Sequence, residues 1–546
     1  MPKLPGCSVF GWVALCASLA WADNYPRQPA IDAQHYVFRI ALSDANDEVE
    51  GETTVDLRFL QAGVTQVVLD LTSLKDGKGM TVAEVASRGT ALKFQHSADR
   101  LAITLDSDPA PGERRQFTVK YRGVAGAGLH IAKNKFGDRT FFSWNWPTLA
   151  RQWLPVIDHP SDKATSEFLV TAPAKYQVVA NGLLQEVLDL GDGRRMTHWK
   201  QSVPIASWLN NIGVAQFASR HFGTAAGVPL ETWVFPQDRD NGILTFEEPT
   251  RQAMEFFASH IGPYPYEKLA DVQVAGMGGG MEHASAIFFG ESSVAGRPAF
   301  GLVAHEIAHQ WFGDSVTEKD WDDAWLSEGF ATYFASLASE FYDGRDAFLG
   351  AMRRSRNSIF AMEKRTPGVA VVHDILPEIQ NGRAPAGIVY QKGGWVLHML
   401  RGVIGTEKFW AGIREYYRRF RDANASTLDL RRVMEETSGA DLGWFFEQWL
   451  WRPGYPVVSG GWTYNPAARR IEIDLAQTQS GAAYRLPLEI AIIVAGAPPA
   501  VQRIECTRKA QKFQIAAAQE PSSVELDPNV RVLMDNRFRS DRSRGR

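Results

Sequence analysis

From about residue 30 to 215, polar and apolar positions alternate along the chain. Thr54-Val55-Asp56-Leu57-Arg58-Phe59 is the clearest run. A period of two puts one set of side chains on a buried strand face and the other in water. Turn-forming pairs interrupt the alternation at Asp76-Gly77, Pro111-Gly112, Gly137-Asp138, Asn181-Gly182 and Gly191-Asp192-Gly193. An all-β domain over residues 23–218 follows. Between 219 and 455 the period lengthens, with apolar residues at helical spacing in Arg251 to Ile261, Phe300 to Gly313, Glu328 to Tyr342, Gly394 to Val403 and Lys408 to Arg421. A strand-like piece, Asp271 to Ala275, lies near the start of this mainly helical domain. Alternation returns in Arg470-Ile471-Glu472-Ile473-Asp474-Leu475 and Leu488 to Val494, predicting a small β domain over 456–536. Residues 537–546 carry five arginines and no core pattern beyond Phe538, and read as a basic flexible tail. The fold class is multidomain α+β.

Composition narrows this picture. A length of 546 residues suits roughly three or four domains, and 17 Trp with 30 Phe supply ample core. The formal charge of −4 leaves no footprint for nucleic acid. At the start, Lys3, the apolar run Val9 to Ala20 and the small-x-small site Ala20-Trp21-Ala22 read as a signal peptide over 1–22. The mature chain would begin near Asp23 and be exported, periplasmic or secreted. The run is shorter than the ~20 residues that span a bilayer, so no stable membrane insertion is expected after cleavage. Cys7 and Cys16 fall in the leader, leaving Cys506 alone and no internal disulfide. The oligomeric state is not legible.

The chemistry concentrates in His305-Glu306-Ile307-Ala308-His309. On a helix, residues four apart lie one turn above each other, so both imidazoles can bind one ion. Glu306, about 100° round, is suited to hold a water beside it. Such a pentapeptide arises by chance in roughly one chain in a hundred of this size. Glu328, separated from His309 by 18 intervening residues, in Trp325-Leu326-Ser327-Glu328-Gly329, strengthens the reading. Two imidazoles and one carboxylate leave a fourth position open, the catalytic type of zinc site.

With these residues the sequence resembles the aminopeptidase N type of zinc metallopeptidase, the gluzincin group that also includes leukotriene hydrolase. Further matching pieces are Gly279-Gly280-Met281-Glu282-His283 and Val389-Tyr390-Gln391-Lys392-Gly393-Gly394, with Gly262-Pro263-Tyr264-Pro265-Tyr266 and Asp158-His159-Pro160-Ser161-Asp162-Lys163-Ala164 as context. The resemblance implies an N-terminal β-sheet domain, a thermolysin-like catalytic domain and a small C-terminal β-sandwich. It implies one Zn2+ per chain on His305, His309 and Glu328, and peptide substrates with a free N-terminus. Glu306 would be the general base, and Tyr390 would donate its hydroxyl to the oxyanion. Gly279, Gly280 and Met281 would offer backbone to an extended substrate, and Glu282 would bind its α-ammonium. Two positions depart from the family pattern. His283 stands where Asn is usual and adds a titratable group beside Glu282; Trp144 stands near a usual Gln and would reshape the first substrate pocket. An endopeptidase or dipeptide-releasing register, and a catalytically silent peptide-binding protein, stay open as alternatives.

Overall fold

The computed structural model describes residues 23–381 and 387–540. The expected leader, 1–22, and residues 541–546 lie outside this range. The N-terminal region is built on an eight-stranded sheet whose two middle strands are Ile31–Ala41 and Val49–Phe59. In Val49–Phe59 burial alternates residue by residue, with Val55, Leu57 and Phe59 fully inside. The hydrophobic period seen in the sequence is therefore the core-facing period of this sheet. Ile31–Ala41 pairs with Lys163–Pro173 in parallel and with Val49–Phe59 antiparallel. Three- and four-stranded sheets complete the β region.

A five-stranded sheet opens the catalytic region, in the spatial order Ala218–Ala225, Val228–Val234, Leu269–Val274, Ala286–Gly290 and Gly280–Met281. The last of these is an edge strand of two residues. Helices follow: α1 (Glu248–His260), α2 (Phe300–His309), α3 (Trp325–Asp343), α4 (Arg345–Arg365), α5 (Gly393–Ile404), α6 (Thr406–Phe420) and α7 (Thr427–Ser438). Among the described residues no helix is long and apolar enough to cross a membrane.

The β and helical regions are joined at the strand that leads into the site. Asn211 Nδ2 donates to the Ala286 carbonyl at 2.7 Å, Asn181 Nδ2 to Ala284 at 2.7 Å, and the Gly182 N–H to Ser285 Oγ at 2.7 Å. Lys268, fully inside, donates to the Ala180 and Ser285 carbonyls, each at 3.0 Å. Burial lowers its pKa to about 8.

Beyond residue 456 two small sheets, of four and three strands, enclose Ile471, Ile473, Leu475, Leu486, Leu488 and Ile490. Cys506 is buried there as a free thiol. The tail needs correction at its start. Asp535–Ser540 is a strand that pairs in parallel with Val457–Asn465, with Arg537 opposite Ser459 and Phe538 opposite Gly460. The arginines of this stretch alternate with Phe538 and Ser540, a pattern compatible with an edge strand that has one wet face.

Helices α3 and α5 cross where glycines allow close approach. A Cβ on Gly329, the residue after Glu328, would sit 2.8 Å from the Gly393 carbonyl carbon. Backbone cannot yield as a side-chain tip can, so Gly329→Ala is expected to destabilise the protein by roughly 1–3 kcal/mol. Gly394→Ala, whose Cβ would meet nothing nearer than 3.3 Å, is expected to cost less. Thermal midpoints of the two variants, measured side by side, check the order.

Candidate metal centre

The zinc-type motif sits at the C-terminal end of α2, and Glu328 in the first turn of α3. Their donor atoms converge. His305 Nε2 and His309 Nε2 are 3.2 Å apart, and Glu328 Oε2 lies 3.5 Å from the first and 3.3 Å from the second. Ligand atoms roughly 2.0–2.1 Å from a tetrahedral ion stand about 3.3 Å from one another. The three separations match that spacing. Glu328 Oε2 is also buried without a hydrogen-bond partner.

Charge makes the same demand. Glu282, Glu306 and Glu328 are all buried, and donor atoms of Glu282, Glu306 and His309 lie within 4.8 Å of one another. Burial, reinforced by Glu282 and Glu328, pushes the Glu306 carboxyl well above its ordinary range. Burial opposes charge on His309, yet Glu282 and Glu328 carry its pKa well up. Against its own burial, the His309 and His305 imidazoles hold Glu328 at about 2. Carboxyl groups gathered this closely in the interior stay ionised only where a cation is shared among them, and otherwise take up protons.

Neighbouring residues fix the ligands. His309 Nδ1 is 3.0 Å from Ser327 Oγ and 3.3 Å from the Phe312 carbonyl, which orients the ring for binding through Nε2. Gly313, at φ 120°, leaves room for that hydroxyl, since a Cβ there would lie 2.3 Å from Ser327 Oγ. Gln310 ties the motif helix to the edge strand: its Nε2 donates to the Glu282 carbonyl and to Asp314 Oδ2, each at 2.8 Å. Its Oε1 accepts from the Tyr264 hydroxyl at 3.0 Å and the Ser285 N–H at 2.8 Å. Lys163, from the β region, donates to the Asp314 and Ser315 carbonyls at 2.9 and 2.7 Å. None of Ser327, Gln310 and Gly313 was singled out by the sequence reading, although Gln310 directly follows the motif.

The remaining predicted residues fall into different places. Gly280 packs against Glu306 so closely that a Cβ would lie 2.4 Å from its carboxyl carbon. Gly279 has φ 73° and open space around it. Met281 turns its side chain into the core, leaving only backbone at the strand edge. Glu282 is 5% exposed, with Oε1 unpartnered and 3.8 Å from His309 Nδ1. Tyr390 stacks on His305 with ring centroids 5.9 Å apart and lies in a widened π-type turn, Ile388–Lys392. Burial and the Glu328 carboxylate keep its phenol protonated.

Two expectations change. His283 is fully buried edge-on to Phe288 at 4.8 Å, both ring nitrogens lack partners, and burial lowers its pKa to about 3. It is a neutral interior group and adds no charge beside Glu282. Trp144 follows the strand Arg139–Ser143; its ring lies 6.3 Å from His130 and its buried indole N–H has no acceptor. Among the described residues no hydrogen bond or ring contact links Trp144 to the metal cluster. A second group of possible ligands, Asp23, His159 and Asp320, is closed by Arg27, which hydrogen-bonds Asp320 and lies 3.4 Å from His159 Nε2.

Comparison with known proteins places this geometry. The Peptidase family M1 domain profile matches residues 246–449, and the Peptidase M1 N-terminal domain profile matches 32–209. The chain belongs to peptidase family M1. It is similar to "Probable aminopeptidase 1" of Saccharolobus solfataricus, at 26% identity over 77% of this chain and 53% of the relative. Glutamyl aminopeptidase of Sus scrofa is 29% identical over 57% of this chain and 34% of the relative. The chain thus spans about half, or less, of the length of these curated relatives. An M1 zinc metallopeptidase from Deinococcus radiodurans aligns at TM-score 0.66 and 25% identity, covering 78% of this chain and 94% of that one. A variant of it bound to a Tyr-Ser-Ala substrate aligns at TM-score 0.67 and 25% identity, with the same coverage. The cofactor of this M1 centre is Zn2+, which the spacing of His305, His309 and Glu328 fits.

Removing the hydroxyl that orients His309 is expected to weaken zinc binding without abolishing it. Ser327→Ala should lose roughly 10–100-fold in zinc affinity, read by competition with a chromophoric chelator.

Proposed function

We propose that the chain is a zinc-dependent aminopeptidase that removes N-terminal residues from peptides. The observation that carries this reading is Glu282. A buried carboxylate with an unpartnered oxygen, beside the base and the ligand set, is a receptor for an ammonium group. The unpaired edge of Gly280–Met281 supports the same reading, since an extended substrate can add to it by backbone hydrogen bonds. Relatives that carry the name aminopeptidase, and a family neighbour bound to a tripeptide, support it further.

A bound zinc ion supplies Lewis acidity for the scissile carbonyl and for the attacking water. The protein supplies the rest. Glu306 accepts the proton of the attacking water and delivers it to the departing amine. Tyr390, held protonated, donates its hydroxyl to the oxyanion as charge develops there. Glu282 fixes the ammonium one residue before the scissile bond, which sets the exopeptidase register. The part Trp144 plays in the first pocket rests on the family resemblance alone. Export through cleavage after Ala22 belongs to the proposal, supported by the Val9 to Ala20 run and the Ala20-Trp21-Ala22 site.

The test is hydrolysis of an amino-acid arylamide and of its N-acetylated form. The free amine is expected to be cleaved, with activity lost to a chelator and restored by zinc. Equal cleavage of both would favour an endopeptidase register, and zinc binding without turnover a silent binding protein. Glu306→Gln should keep its zinc and lose roughly 10²–10⁴-fold in kcat. Gly280→Ala should also keep zinc while displacing Glu306, and lose about 10²-fold; metal content and kcat measured together distinguish both from loss of the ion.

A further inference from the structure

One edge of the eight-stranded N-terminal sheet is left open. The sheet ends on one side in the two-residue strand Thr90–Ala91 and on the other in Leu183–Asp189. A strand of two residues offers a neighbour almost no ladder, which is one way proteins blunt an edge. Leu183–Asp189 is not blunted. All seven of its residues are exposed, so neither face of the sheet is covered there. Leu183, Leu184, Val187, Leu188 and the following Leu190 are each 38–50% exposed. Lysine, arginine and proline, which keep edges apart, are absent from residues 183–190. Among the described residues the strand pairs only with Arg194–Ala206.

This edge is complementary to itself. Pairing with Arg194–Ala206 sets Leu184 and Val187 beside Trp199 and Thr197, on the face that carries buried side chains. Glu186 and Leu188 lie beside His198 and Met196 on the other face. A second copy running antiparallel about a two-fold axis at Val187 brings Val187 against its equivalent, and Glu186 against the partner's Leu188. No carboxylate then faces another directly, because the two Glu186 side chains sit diagonally, roughly 7–8 Å apart. Beyond them, Leu183 and Leu184 of one copy meet the Asp189–Leu190 end of the other. The size also fits. Seven residues make a strand about 24 Å long. Two such edges, with side chains on both faces, bury on the order of 1,000 Å², the low end for a specific contact. Free backbone and apolar side chains lie on the same seven residues, so one surface supplies both halves of an isologous contact.

We propose that this edge is a self-association surface. Two copies of the chain pair their Leu183–Asp189 strands antiparallel, centred on Val187, and join their N-terminal sheets into one. The dimer is reversible, and its contact uses no residue of the metal centre.

The test is sedimentation velocity of the full-length zinc-bound protein at about 100 μM and about 1 μM, on either side of the micromolar affinity such an area supports. Twice the mass of one chain is expected at the higher concentration, and the single-chain mass at the lower. Val187→Lys opposes two like charges across the axis and should be monomeric at both. Its zinc content and thermal midpoint should match the wild type's, since Val187 is 50% exposed. Oxidation tests the register. Val187→Cys places two Cα atoms about 4.5–5.5 Å apart, within disulfide range, and should cross-link. Asp189→Cys places them about 14 Å apart and should not. The wild type, oxidised in parallel, controls for the cysteines already in the chain. A wild type that is monomeric at both concentrations, or a dimer that survives Val187→Lys, would overturn the proposal. So would Asp189→Cys cross-linking as readily as Val187→Cys.

Discussion

Buried negative charge is the constraint around which this protein is organised. Glu282, Glu306 and Glu328 lie inside the protein within reach of two imidazoles. A lone carboxylate in such surroundings would protonate or stay outside. Zinc between His305, His309 and Glu328 turns that liability into a stable arrangement, because a dication offsets what desolvation costs. The same crowding leaves Glu282 with an unsatisfied oxygen, while burial and the neighbouring carboxylates raise the pKa of Glu306. The metal site and the two roles proposed for Glu306 and Glu282 therefore trace to one crowding of buried carboxyl groups.

Such a centre works only if its parts cannot relax apart, and the fixing is largely steric. Gly280 carries no Cβ, so Glu306 rests directly on the edge strand. Gly313 clears the space in which Ser327 reaches His309. Gln310 joins the motif helix to the segment that bears Glu282 through two hydrogen bonds, and holds Asp314 and Tyr264 with two more. The β region contributes as well, through Asn181, Asn211 and Lys163, whose partners lie on either side of the centre. The N-terminal domain thus forms part of the scaffold of the site.

Residues whose role follows from local spacing were legible in the sequence. His305, Glu306 and His309 occupy one helix, and the alternation in Val49–Phe59 marks its core face directly. What escaped depends on tertiary contact. Helix α4 buries only Phe348, Met352, Ile359 and Glu363 out of 21 residues, too thin a stripe to register as periodicity. His283 has the same composition whether it faces solvent or Phe288, and only the fold makes it neutral. Gly280 illustrates the difference most clearly. The family resemblance implied a backbone edge open to a substrate, and the fold shows a second use for the missing side chain, the seat of the Glu306 carboxylate. Arg537 and Phe538 read as tail because a strand needs its partner, here Ser459 and Gly460 of Val457–Asn465, 78 residues earlier, to be recognised.

The placement of Tyr390 joins these arguments. Its π-type turn is less favourable than ordinary helix and persists where something anchors it. Lys392, two residues on, is fully buried and meets the buried Glu363 of α4 at 2.6 Å and the Gly454 carbonyl at 3.0 Å. Removing either partner would leave an uncompensated charge inside, so the pair resists being opened. That anchor ties the turn at once to α4 and to the chain entering the C-terminal β domain. Through one buried lysine, the turn that carries Tyr390 is held both to α4 and to the chain entering the C-terminal β domain, and this links that domain to the geometry at the metal.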